Sequence, residues 1–380
     1  MDTDLFLSDL RELVECESPS HDLAAVARSA DVVARVGAAR LGVPPEQIVL
    51  DGRTHLRWRL GPGPSRVLIV GHHDTVWPTG TLATTPFSVE DGVVRGPGCF
   101  DMLTGLVMTF HALASLESVD GVTVLVTGDE ELGSPSSRAL IEDEARLASA
   151  ALVLEASADG GALKTERKGV SLYDVRLVGR AAHAGLEPEL GVNATLELAH
   201  QSLAVAALAD PQLGTTVTPT AARAGTTTNT VPAEGSFAVD VRVRTVAEQD
   251  RVDAAMRALV PVQPGAVVEV CGGPNRPPLE ASASAALFAR AQRVAAELGQ
   301  PELTATAVGG ASDGNFTAGV GTPTLDGLGA VGGGAHAAHE HVLLEHVPGR
   351  TALLARLVAD LLARPSKSTN DLETSGAARP

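Results

Sequence analysis

The sequence has few cysteines, a deficit of basic residues and no long apolar run. Three scattered cysteines, Cys16, Cys99 and Cys271, are too few for a disulfide framework or a thiolate zinc site, which favours a reduced, cytoplasmic compartment. Lys and Arg number 29 against 46 Asp and Glu, and the net charge of −17 argues against nucleic acid or an anionic membrane as a partner. No apolar run approaches the roughly 20 residues that cross a bilayer. The acidic, amphipathic start predicts no signal peptide.

The sequence also lacks the glycine patterns of nucleotide-binding proteins. The Gly-Pro-Gly at 96–98 is followed by neither G-x-G-x-x-G nor a Walker sequence, which disfavours a dinucleotide-binding oxidoreductase. No internal repeat is visible, so a solenoid is not expected. At 380 residues the chain is long enough for two domains with a sizeable core.

Short β-like runs alternate with helix-like segments in the first part of the chain. Residues 66–70, 122–127 and 151–154 are typical of strands, and residues 104–117 and 136–149 between them are typical of helices. This alternation predicts a parallel α/β sheet. Ligands of such sheets bind beyond the carboxyl ends of the strands.

The pattern changes from about Gly169 to the order β-α-β-β-α-β, which is ferredoxin-like, and helix–strand alternation then resumes. We therefore predict an α/β fold with a discontinuous catalytic domain (1–168 and 277–365), built on a mixed, largely parallel sheet flanked by helices. An α+β domain at 169–276 interrupts it as a lid or dimerisation domain. The polar residues 366–380 predict a disordered tail.

Residues that can bind a metal follow each of the three strands. Adjacent carboxylates repel one another unless a cation or a proton neutralises them. His72 and Asp74 are two residues apart, so on extended backbone their side chains leave the same face, and Asp74 can orient a metal-bound His72. The candidates after the three strands are His72 and Asp74, then Asp129, Glu130 and Glu131, then Glu155.

Two further stretches add candidate ligands. Asp101 follows a Gly/Pro turn directly before a helix, where it could equally be the helix N-cap. His336, His339 and His341 follow a run of glycines, and spacing alone favours none of the three. The combined set has nitrogen and oxygen ligands without cysteine, which suits Zn²⁺ or similar ions. A carboxylate shared between two metals would make a site that activates water.

These motifs resemble the M20 metallopeptidase family, in particular its glutamate carboxypeptidase (carboxypeptidase G2-like) branch. The resemblance implies a zinc-exopeptidase-like catalytic domain. The matching stretches occur in family order and span most of residues 11–360: GHHDTVWPTGTL, GPGCFDM, TGDEELGS, LVLEAS, GRAAHAGLEPELGVNA, GTTTNTVP, GGPNRPP, GGASDGNFTA and GGGAHAAHEHV.

The resemblance implies two Zn²⁺ ions, with Mn²⁺ or Co²⁺ as alternatives. His72 and Glu155 would bind one ion, Glu131 and His336 would bind the other, and Asp101 would bridge them. With His336 as the ligand, the other two late histidines become surface groups.

The resemblance also implies the groups that act around the metals. Asp74 would orient His72. Glu130 would be the general base that takes a proton from metal-activated water and passes it to the leaving amine. The peptide bond between Asp101 and Met102 would be cis.

Five substrate-binding residues are implied as well. His183, from the insertion of this or a partner subunit, would hold the tetrahedral oxyanion, and Asn229 would assist it. Arg276 would meet the substrate carboxylate, since a guanidinium fork suits that planar anion. Gly310 and Ser312 would line the pocket, and the insertion would carry the contacts of a homodimer.

One departure concerns Leu103 and Thr104, which stand where the family often has Lys and Gly and which leave the substrate class open. The leading prediction is a hydrolase that cleaves an amide bond next to a free carboxylate. Its products would be C-terminal amino acids, glutamate among them, from short or N-acylated peptides. An N-acyl-amino-acid deacylase or deacetylase is the alternative with the same site chemistry. A non-catalytic metal-binding module is the alternative of another class, although structural zinc sites are usually closed and cysteine-rich.

Overall fold

The computed structural model describes residues 1–364, and the tail predicted at 366–380 lies outside them. No helix in this range is long and apolar enough to cross a membrane. The α-helices of this range are α1 (Thr3–Val14), α2 (Leu23–Leu41), α3 (Thr104–Ala114), α4 (Arg138–Leu147), α5 (Ala194–Ala206), α6 (Val246–Arg257), α7 (Ala281–Glu297), α8 (Gly314–Gly319) and α9 (Val347–Ala363).

The strands are mostly short. In chain order they are β1 (Glu46–Leu50), β2 (Arg53–Leu60), β3 (Val67–His72), β4 (Ser88–Glu90), β5 (Val93–Arg95), β6 (Val122–Thr127), β7 (Ala150–Val153), β8 (Leu163–Arg167), β9 (Gly169–Val178), β10 (Ala182–His183), β11 (Thr216–Ala224), β12 (Thr230–Val231), β13 (Glu234–Val243), β14 (Val267–Arg276), β15 (Ala305–Val308), β16 (Thr324–Leu325), β17 (Gly332–Gly333) and β18 (His341–Leu343).

A six-stranded sheet in the order β1-β2-β6-β3-β7-β16 organises the first compact unit. Strand β3 lies parallel to both β6 and β7, and β16 is parallel to β7. Strands β1 and β2 add an antiparallel edge, because β1 pairs antiparallel with β2 and β2 pairs antiparallel with β6. The predicted α/β fold with a mixed, largely parallel sheet is therefore confirmed.

Both faces of this sheet are covered, which explains why its central strands are apolar throughout. Val67 and Ile69 of β3 belong to a core cluster with residues of α1, α2, α3 and α9. Leu68 and Val70 point to the opposite face, where they pack with α4 and with Phe316 of α8. The burial of β3 on both sides fixes the position of the residues that follow its carboxyl end.

The second compact unit consists of Arg167–Glu280 and Gly309–Ala311. Its main sheet is antiparallel in the order β11-β13-β9-β14, so β9 and β13 are the central strands. Residues of α5 and α6, such as Val205 and Met256, pack against Val175 and Phe237 on one face of this sheet. With the chain order β-α-β-β-α-β, this is the ferredoxin-like arrangement. Its roles as a lid and in dimerisation stay predictions.

Candidate metal centre

Three parallel strands bring the predicted ligands to one edge of the six-stranded sheet. His72 is the last residue of β3, and the turn Glu130–Leu132 follows β6. Glu155 comes two residues after β7 ends at Val153. One ligand atom from each of His72, Glu130 and Glu155 lies within 4.8 Å of the others. The parallel register therefore gathers residues that are far apart in the chain.

His72 is buried and presents one ring nitrogen to the cluster. Its Nδ1 lies 2.9 Å from the main-chain oxygen of Asp74 and 3.5 Å from that residue's carboxylate. Its Nε2 lies 3.5 Å from a carboxylate oxygen of Asp101 and 3.5 Å from one of Glu155. Burial alone would lower the pKa of His72, but these acids raise the pKa well above its usual range. With Nδ1 donating to Asp74, Nε2 is the atom free to bind a metal.

Asp101 lies between two histidines. One of its carboxylate oxygens is 3.5 Å from Nε2 of His72, and the other is 3.3 Å from Nε2 of His336. Burial would raise the pKa of Asp101, but the neighbouring imidazoles of His336 and His72 lower it strongly. Helix α3 begins at Thr104 without a side-chain cap among the described residues, so the N-cap interpretation of Asp101 is wrong. The peptide bond from Asp101 to Met102 is cis, as the resemblance implies.

Of the three late histidines, His336 reaches this cluster. Its Nε2 lies 3.2 Å from a carboxylate oxygen of Glu131, and hydrogen bonds to Asp101 and Glu131 raise the pKa of His336 to about 10. Burial raises the pKa of Glu131. His339 is exposed, and His341 lies on β18 with its Nδ1 2.9 Å from the main-chain oxygen of His339.

The cluster has the composition that a divalent cation requires. Four carboxylates and two imidazoles converge without a sulfur ligand, which suits zinc and similar ions. The buried Nε2 of His72 has no hydrogen-bond partner among residues 1–364. A buried nitrogen without a partner is costly, and a bound cation would satisfy it while offsetting the repulsion among the acids. The residues present therefore fit a metal.

Asp74 organises the turn that carries two of the acids. It is fully buried, and its carboxylate accepts hydrogen bonds from the main-chain N–H groups of Glu130 at 3.1 Å and Glu131 at 3.2 Å. Ser20 adds a third at 2.7 Å. Burial would raise the pKa of Asp74, but the hydrogen bond to His72 lowers it. Ser20 was missed by sequence reasoning, because it lies 54 residues from Asp74 and no local pattern marks it.

Asp129, the first of the three adjacent acids, holds the segment that precedes a helix. Its carboxylate accepts hydrogen bonds from the main-chain N–H and the hydroxyl of both Ser136 and Ser137, the two residues before α4. Gly128 before it donates its N–H to Nδ1 of His55 at 3.1 Å, which positions the turn. A Cβ atom at Gly128 would lie 2.7 Å from the main-chain oxygen of Thr54, so only glycine fits. The turn therefore separates Asp129, which binds Ser136 and Ser137, from the two acids at the metal cluster.

Other neighbours of the cluster are packed into the core. His73 is fully buried between Ser29 and Thr54, and burial lowers its pKa to about 4, so it stays neutral. Leu103 and Thr104, the two residues noted as a departure from the family pattern, are also buried. Leu103 belongs to the main core cluster, together with Phe100 and Met102.

In the second compact unit, the structure places His183 and Asn229 close together. Strands β10 and β12 pair, and the main-chain oxygen of Asn229 accepts a hydrogen bond from the N–H of Ala184 at 2.9 Å. The exposed His183 accepts hydrogen bonds at Nδ1 from the N–H groups of Gly185 at 3.2 Å and Leu186 at 3.1 Å. An accepting Nδ1 leaves the proton of the neutral ring on Nε2. His183 can therefore donate a hydrogen bond from Nε2.

The remaining predicted residues have mainly structural contacts. Arg276 is buried at the end of β14, and the main-chain oxygen of Gly310 accepts a hydrogen bond from Arg167 at 3.1 Å. Ser312 is fully buried, and its hydroxyl donates to the carboxylate of Asp326 at 2.6 Å. The substrate-binding roles of Arg276, Gly310 and Ser312 stay predictions.

The fold and this cluster are those of a metal-dependent hydrolase. The chain belongs to peptidase family M20/M25/M40, whose family model matches residues 68–360. The predicted enzyme class, a hydrolase of the M20 type, is thereby confirmed.

The chain is also similar to individual proteins and solved structures. The chain is 34% identical over 314 residues to carboxypeptidase G2 of Pseudomonas sp. (strain RS-16), covering 79% of this chain and 75% of that protein. Its fold is similar to aminopeptidase PepT of Bacillus cereus ATCC 10987, with a TM-score of 0.72, 21% identity, and 95% and 99% of the two chains covered. It is also similar to YXEP of Bacillus subtilis, described as a dinuclear metal-binding M20 peptidase, with a TM-score of 0.63, 15% identity, and 95% and 98% covered. The resemblance to the carboxypeptidase G2-like branch is confirmed.

Proposed function

We propose that the protein is a dinuclear-zinc hydrolase that cleaves an amide bond next to a free carboxylate. It would release C-terminal amino acids, glutamate among them, from short or N-acylated peptides. The observation that carries the proposal is Asp101, whose two carboxylate oxygens face His72 and His336 at 3.5 and 3.3 Å. A carboxylate placed between two imidazoles is suited to bridge two metals. The similarity to carboxypeptidase G2 supports the substrate class.

The ligands divide between two ions. His72 and Glu155 would hold one ion, Glu131 and His336 would hold the other, and Asp101 would contact both, in line with the distances between these side chains. Mn²⁺ or Co²⁺ could replace Zn²⁺, because the ligand set is nitrogen and oxygen only. When bound, such ions polarise a carbonyl group and make a water molecule acidic near neutral pH.

Glu130 would be the general base that transfers a proton from water to the leaving amine. Its main-chain N–H is held by Asp74, and its carboxylate lies within 4.8 Å of ligand atoms of His72 and Glu155. A buried carboxylate at this position can take a proton from water and pass it to the leaving amine. Asp74 would hold both the His72 ring and the turn of Glu130 in the orientation that the reaction needs.

Three residues of the second compact unit would bind the substrate. The Nε2–H of His183 would donate to the oxyanion that develops on the reacting carbonyl, and Asn229 beside it would assist. Arg276 would pair with the free carboxylate, and Gly310 and Ser312 would line the pocket. These roles are supported by the family and by the donor geometry of His183.

Metal analysis combined with a substrate panel tests this function. We expect two equivalents of zinc per chain and cleavage of folate-like N-acyl glutamates or dipeptides, because the ligand set and the carboxypeptidase relative both favour them. The same substrates with the terminal carboxylate amidated are the matched controls and should be poor substrates. Cleavage of N-acetyl amino acids alone would establish the deacylase alternative, and a metal-free protein without turnover would refute the hydrolase.

We also propose that the protein is a homodimer that assembles through the second compact unit. Strand β11 is an edge of its sheet, and an unpaired edge is a template for pairing with another chain. Helix α5 contacts β11 and exposes Leu196 and Leu203, which are seven residues apart and so share a face. The edge strand and the exposed leucines of the neighbouring helix would together form the contact between subunits.

Replacing Leu203 by Glu should shift the dimer to monomer, because a charge would be buried in an apolar contact. Light scattering coupled to size-exclusion chromatography measures the mass. Leu147→Glu is the control, since Leu147 is similarly exposed, at 60% against 74%, but lies in the first compact unit. A monomeric wild type, or a Leu203→Glu protein that stays dimeric, contradicts this assembly.

A further inference from the structure

The carboxylate of Glu340 is buried and accepts four hydrogen bonds. One oxygen accepts from the indole N–H of Trp77 at 2.7 Å and from the main-chain N–H of Gly98 at 2.9 Å. The other accepts from the main-chain N–H groups of Phe100 at 2.9 Å and Asp101 at 3.0 Å. Glu340 is only 2% exposed. A carboxylate with this many donors is held in one orientation, and it holds its donors equally firmly.

These hydrogen bonds join the two loops that carry the central residues of the cluster. Three of the four donors belong to the segment 98–101, which ends at Asp101. Glu340 itself lies four residues after His336, and its main-chain N–H donates to the oxygen of Ala337 at 2.8 Å, which closes the loop of His336. The residues after Glu340 form β18, and β18 pairs with β5, the strand that precedes the segment 98–101. Glu340 therefore links Asp101 to His336 through both its side chain and its main chain.

We infer that Glu340 is a positioning residue that fixes Asp101 between His72 and His336 and so sets the affinity of the two-metal site. The inference rests on the proposed dinuclear function. Glu340 is not placed as a ligand, because both of its oxygens are occupied by N–H donors. Groups that orient a ligand typically contribute 10- to 100-fold to metal affinity. Loss of the Glu340 carboxylate would leave buried N–H groups of the Asp101 segment without an acceptor and free that segment to turn.

Glu340→Gln is the direct test. The amide keeps the shape of the side chain but has a single acceptor oxygen, so two of the four donors would face its NH₂ group. We expect a folded protein whose zinc affinity, measured by competition with a chelating dye, falls about 10- to 100-fold for at least one ion. The visible spectrum of the Co²⁺-substituted protein should change as well, because the ligand geometry changes. A variant that is merely less stable, with its ligands in place while it is folded, would keep the wild-type spectrum.

Glu345→Gln is the matched control, since Glu345 lies on the same stretch of chain with its side chain 81% exposed. It removes the same charge and should leave zinc affinity and the Co²⁺ spectrum unchanged. A Glu340→Gln protein with two zinc ions bound at wild-type affinity and a wild-type spectrum would overturn the inference while leaving the proposed function intact. A wild-type protein that binds no metal would instead refute the proposed function.

Two further measurements cover the case in which Glu340→Gln does not fold. Glu340→Asp keeps the charge but shortens the side chain by one methylene, and wild-type metal affinity in that variant would also overturn the inference. Hydrogen exchange of the metal-free wild type, followed by mass spectrometry, should show slow exchange in the segment 98–101, because Glu340 holds three of its N–H groups. Exchange there at the rate of an unstructured peptide would show that Glu340 does not hold the segment.

Discussion

Replacing Glu130 by Gln is expected to lower kcat by about 10²- to 10⁴-fold while the protein keeps its metal, because the amide cannot accept a proton. Glutamine matches the size of the side chain, and the main-chain hydrogen bond from Glu130 to Asp74 is retained. The turn should therefore stay in place, and only proton transfer should fail. Steady-state kinetics on the best substrate of the panel, together with metal analysis of the same sample, measures both quantities.

Glu131→Gln is the informative contrast for this variant. Glu131 follows Glu130 in the same turn, but its carboxylate lies 3.2 Å from Nε2 of His336, and its replacement should cost both metal and turnover. A Glu130→Gln protein with wild-type turnover would refute the proposed base. A Glu130→Gln protein that loses metal would show that Glu130 is a ligand, which the 4.8 Å grouping with His72 and Glu155 also permits geometrically.

His183→Asn should lower kcat by about 10²- to 10³-fold with a smaller effect on KM, the range for removal of one oxyanion donor. The oxygen of Asn can still accept the hydrogen bonds that Nδ1 takes from Gly185 and Leu186, so the local turn should persist. What is lost is the donor at Nε2. His183→Gln places an amide N–H nearer to that position and should recover part of the activity.

His200→Gln serves as the control, since His200 is an exposed residue of α5 in the same compact unit. It should leave kcat unchanged. Near wild-type kcat in His183→Asn together with a large loss in His183→Gln would indicate a role in the turn rather than in donation. Wild-type kcat in His183→Asn would contradict the oxyanion role altogether.

Much of the metal cluster could be predicted from local sequence patterns. Buried strands are recognisable by their apolar runs, and the register of parallel strands brings the residues that follow them to one edge. His72, Glu131 and Glu155 are therefore recognisable as candidates from the amino-acid sequence alone. The sheet order, with β3 between β6 and β7, then makes them neighbours.

Other parts could not be predicted, because they depend on contacts between distant segments. Spacing could not choose among the three late histidines, since the choice follows from the loop that Glu340 closes and from the pairing of β18 with β5. Asp101 has the sequence context of a helix cap, and its position between His72 and His336 depends on contacts between distant segments. The hydrogen bond from Ser20 to Asp74 joins residues without any shared motif.

The substrate-binding residues illustrate a different difficulty. Their assignment rests on family motifs, and a motif does not say which way a side chain points. Ser312 donates its hydroxyl to Asp326 in the interior, whereas the exposed His183 keeps a donor available. The motifs of Ser312 and His183 match the family equally well, but only His183 has a side-chain donor that is available to a substrate.

The two histidines of the cluster differ sharply in exposure, since the side chain of His72 is 1% exposed and that of His336 is 49% exposed. For a protein with two bound ions, this difference implies two exchange rates. In the proposed site, water and chelators would reach the ion held by His336 and Glu131, while the ion held by His72 and Glu155 would be shielded by the burial of His72. Brief chelation should then yield a half-loaded enzyme, in which the outer position can be refilled with a second, spectroscopically distinct metal.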